Sequence, residues 1–308
     1  MNEKVIVTCY TRNDLDGTAC AYAYAEFLQK KGTNSVGAIF GKPHREAQFV
    51  MDSFKIKKLS DANKIINRNT KIILVDASDV YGISPKINTK NVIEIIDHRK
   101  FNTVENFPNA KTQIELVGAA ATLIAEKFYS EKISMSKESA LFLMSAIISN
   151  TINFKGIVTE KDKKMYMWLD RQAKMPKKFV HKMFLHKSTF NKPLKQIIED
   201  DFSDLVLNEK NFGIAQLEIV NADKFMKDNI IEIRKILWEI KKERSQDLIF
   251  LTCIDIEKGF NIFVTIDKET ENLIAPILNV KFVNGTAKRK GIIMRKQITP
   301  MIKERMIK

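Results

Sequence analysis

The sequence predicts an α/β protein in which an N-terminal domain, with a mainly parallel β-sheet flanked by helices, is joined by a short linker to a smaller C-terminal α+β domain. Over the first half of the chain, short apolar runs alternate with helical segments, which is the pattern of βαβ units. Beyond about residue 193, strands group around one long charged helix. The length of 308 residues favours two domains. We predict domains at residues 1–187 and 194–308, with the linker at 188–193.

The composition is that of a globular protein, with 44% hydrophobic and 29% charged residues. No apolar run approaches the roughly 20 residues that cross a bilayer, and the first residues do not resemble a signal peptide. Cys9, Cys20 and Cys253 show no paired spacing and are expected to be reduced core residues. These features predict a cytoplasmic protein without a membrane partner, and they are compatible with a homodimer.

The formal net charge of +14 favours polyanionic partners, which are nucleic acid, an anionic membrane face or phosphate-rich small molecules. A lysine-rich composition explains part of the excess. The rest is uneven, since residues 281–308 contain nine basic side chains and a single acidic one, Glu304. This distribution predicts a local anion-binding surface. We favour a phosphate-rich small molecule over nucleic acid, because the sequence lacks the interleaved aromatic and basic residues that single-strand binders use.

Two carboxylates follow the first predicted strand. Residues 5–9 form an apolar run typical of a buried strand, residues 13–17 (Asn-Asp-Leu-Asp-Gly) form a tight loop, and residues 18–31 form a helix. Asp14 and Asp16 therefore lie where a strand ends and a helix begins, which is the edge at which α/β sheets bind ligands. Either they hold one or two cations there, or they cap the helix.

Two further strands end in side chains that can bind metal. Residues 71–75 run into Asp76, and residues 92–96 run into Asp97 and His98. The carboxyl ends of parallel strands lie on one edge of the sheet, so these residues are expected to converge with the two earlier carboxylates. Oxygen and imidazole ligands suit Mn²⁺, Zn²⁺, Co²⁺ or Fe²⁺, and bridging carboxylates suit a two-metal cluster. The sequence therefore predicts metal-dependent phosphoester chemistry at this edge.

The remaining elements are predicted from local patterns. A strand at 34–40 and a helix at 47–54 continue the N-terminal domain, and a helix opens after Gly118. A strongly apolar helix at 138–149 is expected at the centre of the domain, and Thr159 is expected to cap the helix after it. The C-terminal elements are predicted to be helices at 194–201 and 223–245 and strands at 212–220, 248–256, 260–266 and 291–298.

Short motifs stand in a fixed order along nearly the whole chain. They are Asn-Asp-Leu-Asp-Gly (13–17), Val-Asp-Ala-Ser (75–78), Asp-His-Arg (97–99), Glu-Leu-Val-Gly-Ala-Ala-Ala-Thr (115–122), Ser-Ala-Ile-Ile-Ser-Asn-Thr-Ile-Asn-Phe (145–154) and Gly-Ile-Ile-Met-Arg-Lys-Gln-Ile-Thr-Pro (291–300). In this order and spacing they resemble the motifs of the DHH phosphoesterase superfamily. The branch they resemble holds the manganese-dependent (family II) inorganic pyrophosphatases and the exopolyphosphatases, with a DHH-associated C-terminal domain.

The resemblance implies a hydrolase that cleaves a phosphoanhydride, inorganic pyrophosphate or short polyphosphate, at a site between two domains. It implies Mn²⁺, or else Co²⁺ or Mg²⁺, with two ions in the active centre. The residues that it implies for metal binding and catalysis are Asp14, Asp16, Asp76 and His98, with Asn150 as a weak further ligand. Asp97 would orient His98. The residues that would bind substrate are Arg99, Arg295 and Lys296.

The chain departs from the family pattern beside the expected metal cluster. Tyr10 stands where the family has a ligating His, Asn150 where the fourth motif has Asp, and Arg99 where the naming motif has its second His. The two neutral side chains would weaken metal binding. Arg99 adds a fixed positive charge that either binds a phosphate or occupies a metal's place. His44 is a candidate substitute ligand.

Two other classes of function stay open at this point. A degenerate relative, which binds a nucleotide or polyphosphate without hydrolysing it, would follow from the lost ligands at Tyr10 and Asn150. A phosphodiesterase acting on nucleotides or oligonucleotides would suit the net charge of +14.

Overall fold

The computed structural model describes residues 4–100 and 102–307 and divides the chain into two compact units, Met1–Met183 and Phe184–Lys308. The predicted fold class is confirmed, since the first unit contains a parallel sheet with helices and the second a smaller sheet with helices. The division falls inside helix α7 (Phe179–Ser188), four residues from the predicted end of the first domain at 187. No helix among the described residues is long and apolar enough to cross a bilayer.

The first unit is built on a six-stranded sheet in which every neighbouring pair is parallel. Its strands are β1 (Val5–Thr8), β2 (Ser35–Ile39), β3 (Ser60–Asp61), β4 (Lys71–Val75), β5 (Val92–Asp97) and β6 (Lys111–Ile114). They are arranged in the order β3-β2-β1-β4-β5-β6. The order reverses between β1 and β4, which makes the crevice beyond their carboxyl ends a topological switch point, where such sheets bind ligands.

Helices cover this sheet because their buried faces carry small and apolar residues. They are α1 (Leu15–Lys30), α2 (Arg45–Phe54), α3 (Ala62–Ile65), α4 (Ala120–Ser130), α5 (Lys137–Thr151) and α6 (Glu160–Gln172). Helix α1 packs against β2, α4 and α5. A Cβ at Gly37 would lie 2.7 Å from the carbonyl oxygen of Ala21, so α1 and β2 approach at a point that only glycine allows. Helix α5 is buried almost throughout, as its continuous apolar sequence predicts.

Helix starts follow from their capping residues. Thr159 caps α6 in a complete capping box with Asp162, as predicted. Helix α1 was expected to start at residue 18 but begins at Leu15, because the carboxylate of Asp14 accepts the N–H of Gly17 and acts as the N-cap. Asp16 therefore lies in the first helical turn and not in an extended loop.

The second unit has a mixed five-stranded sheet with the order β11-β10-β9-β8-β7. Its elements after α7 are α8 (Leu194–Asp200), β7 (Phe202–Leu207), β8 (Lys210–Ile219), α9 (Ala222–Glu243), β9 (Leu248–Asp255), β10 (Phe260–Thr265), α10 (Lys268–Leu278), β11 (Thr286–Lys290) and α11 (Arg295–Ile307). Alternate residues of β9 face two cores, with Leu251 and Cys253 on one side and Leu248 and Phe250 on the other. This double burial explains why β9 is buried along its whole length and mostly apolar, with Thr252 and Asp255 as its polar residues.

One prediction for this part of the chain is wrong. Residues 291–298 do not form a strand, since β11 ends at Lys290 and α11 starts at Arg295. Ile298 and Ile302 are both fully buried at a spacing of four, which is the helical period, and this pattern overrides the short isoleucine run. The predicted linker 188–193 begins one residue inside α7, and only residues 189–193 lie between α7 and α8 without helix or strand.

Candidate metal centre

Three of the predicted ligands meet at the switch point of the first sheet. Asp16 is in the first turn of α1, Asp76 directly follows β4, and His98 directly follows β5. One ligand atom from each residue lies within 4.8 Å of the other two, and this is the one such group found among the described residues. The carboxylates of Asp16 and Asp76 are buried. Asp14 lies outside this group of three.

The ring of His98 is held so that one nitrogen faces the carboxylates. Its Nδ1 is 2.9 Å from the carbonyl oxygen of Val117, which fixes Nδ1 as the donor. Its Nε2 lies 3.5 Å from Oδ1 of Asp76 and 3.9 Å from Oδ2 of Asp16. Burial alone would lower the pKa of His98, but the two carboxylates outweigh burial and raise the pKa to about 9. A bound metal ion would take the place of that proton.

Asp76 is held in a costly backbone conformation. Its φ of 52° lies in the left-handed region, and its N–H donates to the carbonyl of Ile96 at 2.8 Å. Its Oδ1 is buried without a hydrogen-bond partner among the described residues, and burial raises the pKa of the carboxyl group. A left-handed backbone and a buried oxygen that makes no hydrogen bond among the described residues, both in one residue, are consistent with Asp76 being placed for a ligand.

Asp16 is positioned by backbone donors from the start of α4. Its Oδ2 accepts the N–H of Ala120 at 2.8 Å, and its Oδ1 accepts the N–H of Ala121 at 2.9 Å. Burial raises the pKa of Asp16, whereas the charge of His98 and these two N–H groups lower it. The small residues after Gly118 let the backbone approach this closely. The sequence predicted a helix that opens after Gly118 but did not identify Asp16 as the acceptor of its first N–H groups.

Asn150 contacts Asp16 through its amide nitrogen. Nδ2 donates to Oδ2 of Asp16 at 2.6 Å. In this orientation the amide supports the carboxylate, because an NH₂ group donates and cannot bind a cation. Its role as a weak metal ligand remains a proposal and requires the amide to turn its oxygen to the site.

Asp14 and the residue before it shape the loop after β1. Asn13 has a φ of 47° and is buried, and its side chain donates to the carbonyls of Phe40 and Lys42. Nothing in the sequence pattern identified Asn13 as the anchor of this loop. Loss of hydration on burial and the charge of Asp76 raise the pKa of Asp14 to about 6. The structure therefore shows Asp14 as the cap of α1, and its role as a metal ligand remains a proposal.

Arg99 lies against the other side of Asp76. Its Nη1 donates to the main-chain oxygen of Asp76 and is 3.2 Å from Oδ1 of the same residue. The guanidinium carbon lies 4.6 Å from the ring centroid of Tyr10, whose hydroxyl oxygen accepts the N–H of Ser78 at 3.2 Å. Burial opposes the charge of Arg99, but the carboxylates of Asp76 and Asp97 outweigh it and raise the pKa of Arg99 further.

Asp97 was expected to orient the ring of His98, and the structure gives it different partners. Its Oδ1 accepts the main-chain N–H of His98 at 2.7 Å and lies 3.1 Å from Nη1 of Arg99, while its Oδ2 accepts the hydroxyl of Ser78. The carbonyl of Val117 orients the imidazole instead. The cause is that both oxygens of Asp97 are already used by the main-chain N–H of His98, the guanidinium of Arg99 and the hydroxyl of Ser78.

The donor set fits one divalent cation. Two carboxylates and an imidazole suit Mn²⁺ and similar ions, and Oδ1 of Asp76, which makes no hydrogen bond among the described residues, could serve as a ligand atom. Arg99 also forms an ion pair with this oxygen at 3.2 Å.

The basic pair of the C-terminal motif lies in the second unit. Arg295 and Lys296 begin helix α11. The guanidinium of Arg295 forms an ion pair with Asp201 at 2.6 Å, and its main-chain N–H donates to Gln216 at 2.8 Å. The carboxylate of Asp201 therefore already binds the guanidinium of Arg295, which the resemblance assigned to substrate.

Comparisons with known proteins agree along the whole chain. The family model "DHH family, N-terminal domain" matches residues 4–147, and the model "DHHA2 domain" matches residues 182–305. A protein of Bacillus mycoides (strain KBAB4) named "Probable manganese-dependent inorganic pyrophosphatase" is 28% identical over 306 residues, which cover 98% of each chain.

Two solved structures share the fold over almost the whole chain. That of a "putative family II inorganic pyrophosphatase" of Methanococcus jannaschii is 26% identical with a TM-score of 0.72, covering 99% of this chain and 100% of that one. An "exopolyphosphatase-related protein" of Bacteroides fragilis, 11% identical with a TM-score of 0.50, covers 99% and 92% and shows the fold alone.

Proposed function

This chain belongs to the DHH superfamily and carries a DHHA2 domain, and on that premise we propose that it is a metal-dependent phosphohydrolase acting in the cytoplasm on a phosphoanhydride. Inorganic pyrophosphate and short polyphosphate are the substrates we favour. Support comes from the names of the relatives and from the excess of basic residues, which suits a small polyanion.

The observation that carries the proposal is the convergence of Asp16, Asp76 and His98 at the switch point, where one ligand atom of each lies within 4.8 Å of the others. Oδ1 of Asp76 is buried and makes no hydrogen bond among the described residues, and it faces Nε2 of His98 at 3.5 Å and Nη1 of Arg99 at 3.2 Å. Asp76 is also strained, and its neighbours supply further oxygen and imidazole atoms within 4.8 Å. A purely structural carboxylate has no need of this combination.

Asp16, Asp76 and His98 would hold a divalent ion, and we propose Mn²⁺, with Co²⁺ or Mg²⁺ as alternatives. Such an ion, when bound, lowers the pKa of a water molecule and offsets the charge that develops on the phosphoryl oxygens. Neighbouring residues of the protein position the ligands. Val117 fixes the tautomer of His98, and the N–H groups of residues 120 and 121 keep Asp16 in place, so the site is organised before substrate arrives.

Arg99 is the proposed phosphate contact within the first unit. Its side chain is 34% exposed, and among the described residues its guanidinium contacts are made through Nη1. Its Nη2 and Nε are therefore available to donate to a phosphate oxygen, as a guanidinium fork does. Arg295 and Lys296 remain proposed substrate contacts of the second unit, and Arg295 would have to exchange Asp201 for phosphate.

The test is phosphate release by purified protein in Mn²⁺, Co²⁺ or Mg²⁺, with pyrophosphate, tripolyphosphate, ADP and a short RNA as substrates. We expect release from pyrophosphate or tripolyphosphate, and a loss of about 100-fold or more in kcat for Asp76→Asn, since removing a ligand should exceed the roughly 10–100-fold effect of removing a residue that only orients one. Asp52→Asn removes an exposed carboxylate of α2 and serves as the control. Equal rates for Asp76→Asn and the wild type would defeat the proposal.

A second candidate function is supported by Arg99. An ion pair on the central carboxylate, together with neutral Tyr10 and Asn150, favours a protein that binds a nucleotide or polyphosphate without hydrolysing it. Calorimetry with the same panel distinguishes the two functions, because tight binding without phosphate release selects the binding protein.

A further inference from the structure

We infer that the guanidinium of Arg99 is a permanent cation that takes the place of a second metal ion, so that the centre holds one metal ion and one arginine around Asp76. The inference rests on the metal-binding part of the proposed function and not on hydrolysis. It also departs from the two-ion centre that the sequence led us to expect.

Two positive groups contact one carboxylate oxygen of Asp76. His98 Nε2 lies 3.5 Å from Oδ1, and Arg99 Nη1 lies 3.2 Å from the same oxygen. Two-metal centres place their ions about 3.5–4 Å apart on a shared bridge. Among the described residues, the one group of three ligand atoms is that of Asp16, Asp76 and His98, and Arg99 contacts the oxygen that a second ion would share.

The guanidinium of Arg99 lies over the ring of Tyr10. Its ring centroid is 4.6 Å from the guanidinium carbon, an attractive distance for a cation over an aromatic face. The ring is fixed at one end by the N–H of Ser78 and packed at its edge by Gly82, where a Cβ would lie 2.3 Å from Cδ1. A flat aromatic ring suits a planar guanidinium, whereas it provides no ligand for a metal ion on this side.

Asp97 holds the guanidinium from behind. Both of its oxygens lie within 3.3 Å of Nη1 of Arg99, and the hydroxyl of Ser78 ties the carboxylate down. The carbonyl of Asp76 accepts from the same Nη1. Arg99 is therefore fixed within the centre. Three acceptor oxygens, from Asp76 and Asp97, and the ring of Tyr10 hold its guanidinium.

A fixed guanidinium offsets negative charge that a second ion would need. An arginine stays protonated in proteins, so its charge cannot be removed by pH. Its ion pairs with Asp76 and Asp97 neutralise part of the carboxylate charge that would bind a second divalent ion.

The test is metal content measured without reference to activity. Purified protein is loaded with Mn²⁺, dialysed, and analysed for manganese per chain and for its electron paramagnetic resonance spectrum. We expect about one ion per chain and the six-line spectrum of an isolated Mn²⁺. Two ions per chain with a spin-coupled spectrum, or no retained ion, would overturn the inference.

Variants of Arg99 and Tyr10 test whether these two side chains set the number of bound ions. Replacing both residues by imidazoles, Tyr10→His with Arg99→His, removes the charge and supplies ligands, so we expect content to rise from about one ion to about two. Arg99→Lys keeps the charge and should keep about one ion. Arg68→Gln removes an exposed basic residue of the same unit and should also stay at one. If the double variant folds, as judged by circular dichroism, and still binds one ion, the inference that Arg99 takes the place of a second ion is wrong.

The outcome separates this inference from the proposed hydrolysis. A wild-type chain that binds one Mn²⁺ and releases no phosphate defeats the hydrolase and leaves the arginine-for-metal replacement intact. A chain that hydrolyses pyrophosphate with two coupled ions supports the hydrolase and defeats the arginine-for-metal replacement.

Discussion

Around Asp76, the contacts of single residues decide what the centre can bind. Tyr10 is a clear example, because its hydroxyl accepts a backbone N–H, its face carries the charge of Arg99, and its edge packs on Gly82. A histidine in its place would have offered a metal ligand. The identity of this one side chain therefore fixes whether the space beside Asp76 suits an ion or a guanidinium.

Gly82→Ala should disturb this arrangement through packing alone. The new Cβ would lie 2.3 and 2.4 Å from two ring carbons of Tyr10, so the ring must shift, and overpacking of this kind costs about 1–3 kcal/mol of unfolding free energy. Urea unfolding of the single variants and of Gly82→Ala combined with Tyr10→Ala measures the coupling. We expect a smaller cost of Gly82→Ala when the ring is absent. The same cost in both backgrounds would show that the ring is not the obstacle.

At the scale of elements, helix starts organise the first unit. Asp14 begins α1, and the N–H groups at the start of α4 hold Asp16. The start of α5 is held from α1, because Glu26 accepts the N–H and hydroxyl of Ser136 and the hydroxyl of Ser139. These contacts join segments about a hundred residues apart in the chain.

The link between α1 and α5 predicts a pH dependence of stability. Burial would raise the pKa of Glu26, but the hydrogen bonds from Ser136 and Ser139 and the contact with Lys30 outweigh it and lower the pKa. A lowered pKa means that ionised Glu26 stabilises the folded chain above its unfolded pKa, and that this contribution disappears as the pH falls through the folded pKa. Stability due to Glu26 should therefore be lost on acidification.

Glu26→Gln measures that contribution. We expect it to cost about 1.5–3 kcal/mol near pH 7, the range for hydrogen bonds to a charged group, and less in acid, where the wild type is protonated too. Glu160→Gln is the control, because Glu160 is 89% exposed in its ion pair and should have a small effect at every pH. Urea unfolding from pH 7 to pH 3 gives the comparison. A cost for Glu26→Gln that does not change with pH would contradict the linkage.

At the scale of the whole molecule, each unit contains its own hydrophobic core. One core of the first unit packs on its parallel sheet around Leu74 and Ile95, and the second unit has cores on both faces of its mixed sheet. The five residues between α7 and α8 have no helix or strand, and Asn191, Lys192 and Pro193 are exposed. We therefore keep the proposal that the domains join near residues 188–193.

Limited proteolysis tests the proposed junction. A broadly specific protease such as subtilisin, at a low ratio to protein, should cut first within residues 189–193, because cleavage needs an exposed segment free of regular hydrogen bonding. Mass spectrometry of the early fragments locates the cut. First cuts elsewhere, within either unit, would remove the support for a junction there.

The sequence by itself determined strands β1, β2, β4, β5, β8, β9 and β10, most of the longer helices and three residues of the centre, whereas it missed β3, β6, β7 and β11. Apolar runs and strand-ending acids are local patterns, and in a parallel sheet they lead to one edge, where Asp16, Asp76 and His98 do meet. Only the tertiary structure decided which atoms face each other: Val117 on His98, Arg99 on Asp76 and Asp201 on Arg295. Periodicity reports which face of an element is buried, whereas the partner of a polar atom depends on side chains that the fold brings from elsewhere in the chain. For the same reason residues 291–298 were misjudged, since Ile298 packs in a helix whose second turn lies beyond the predicted strand.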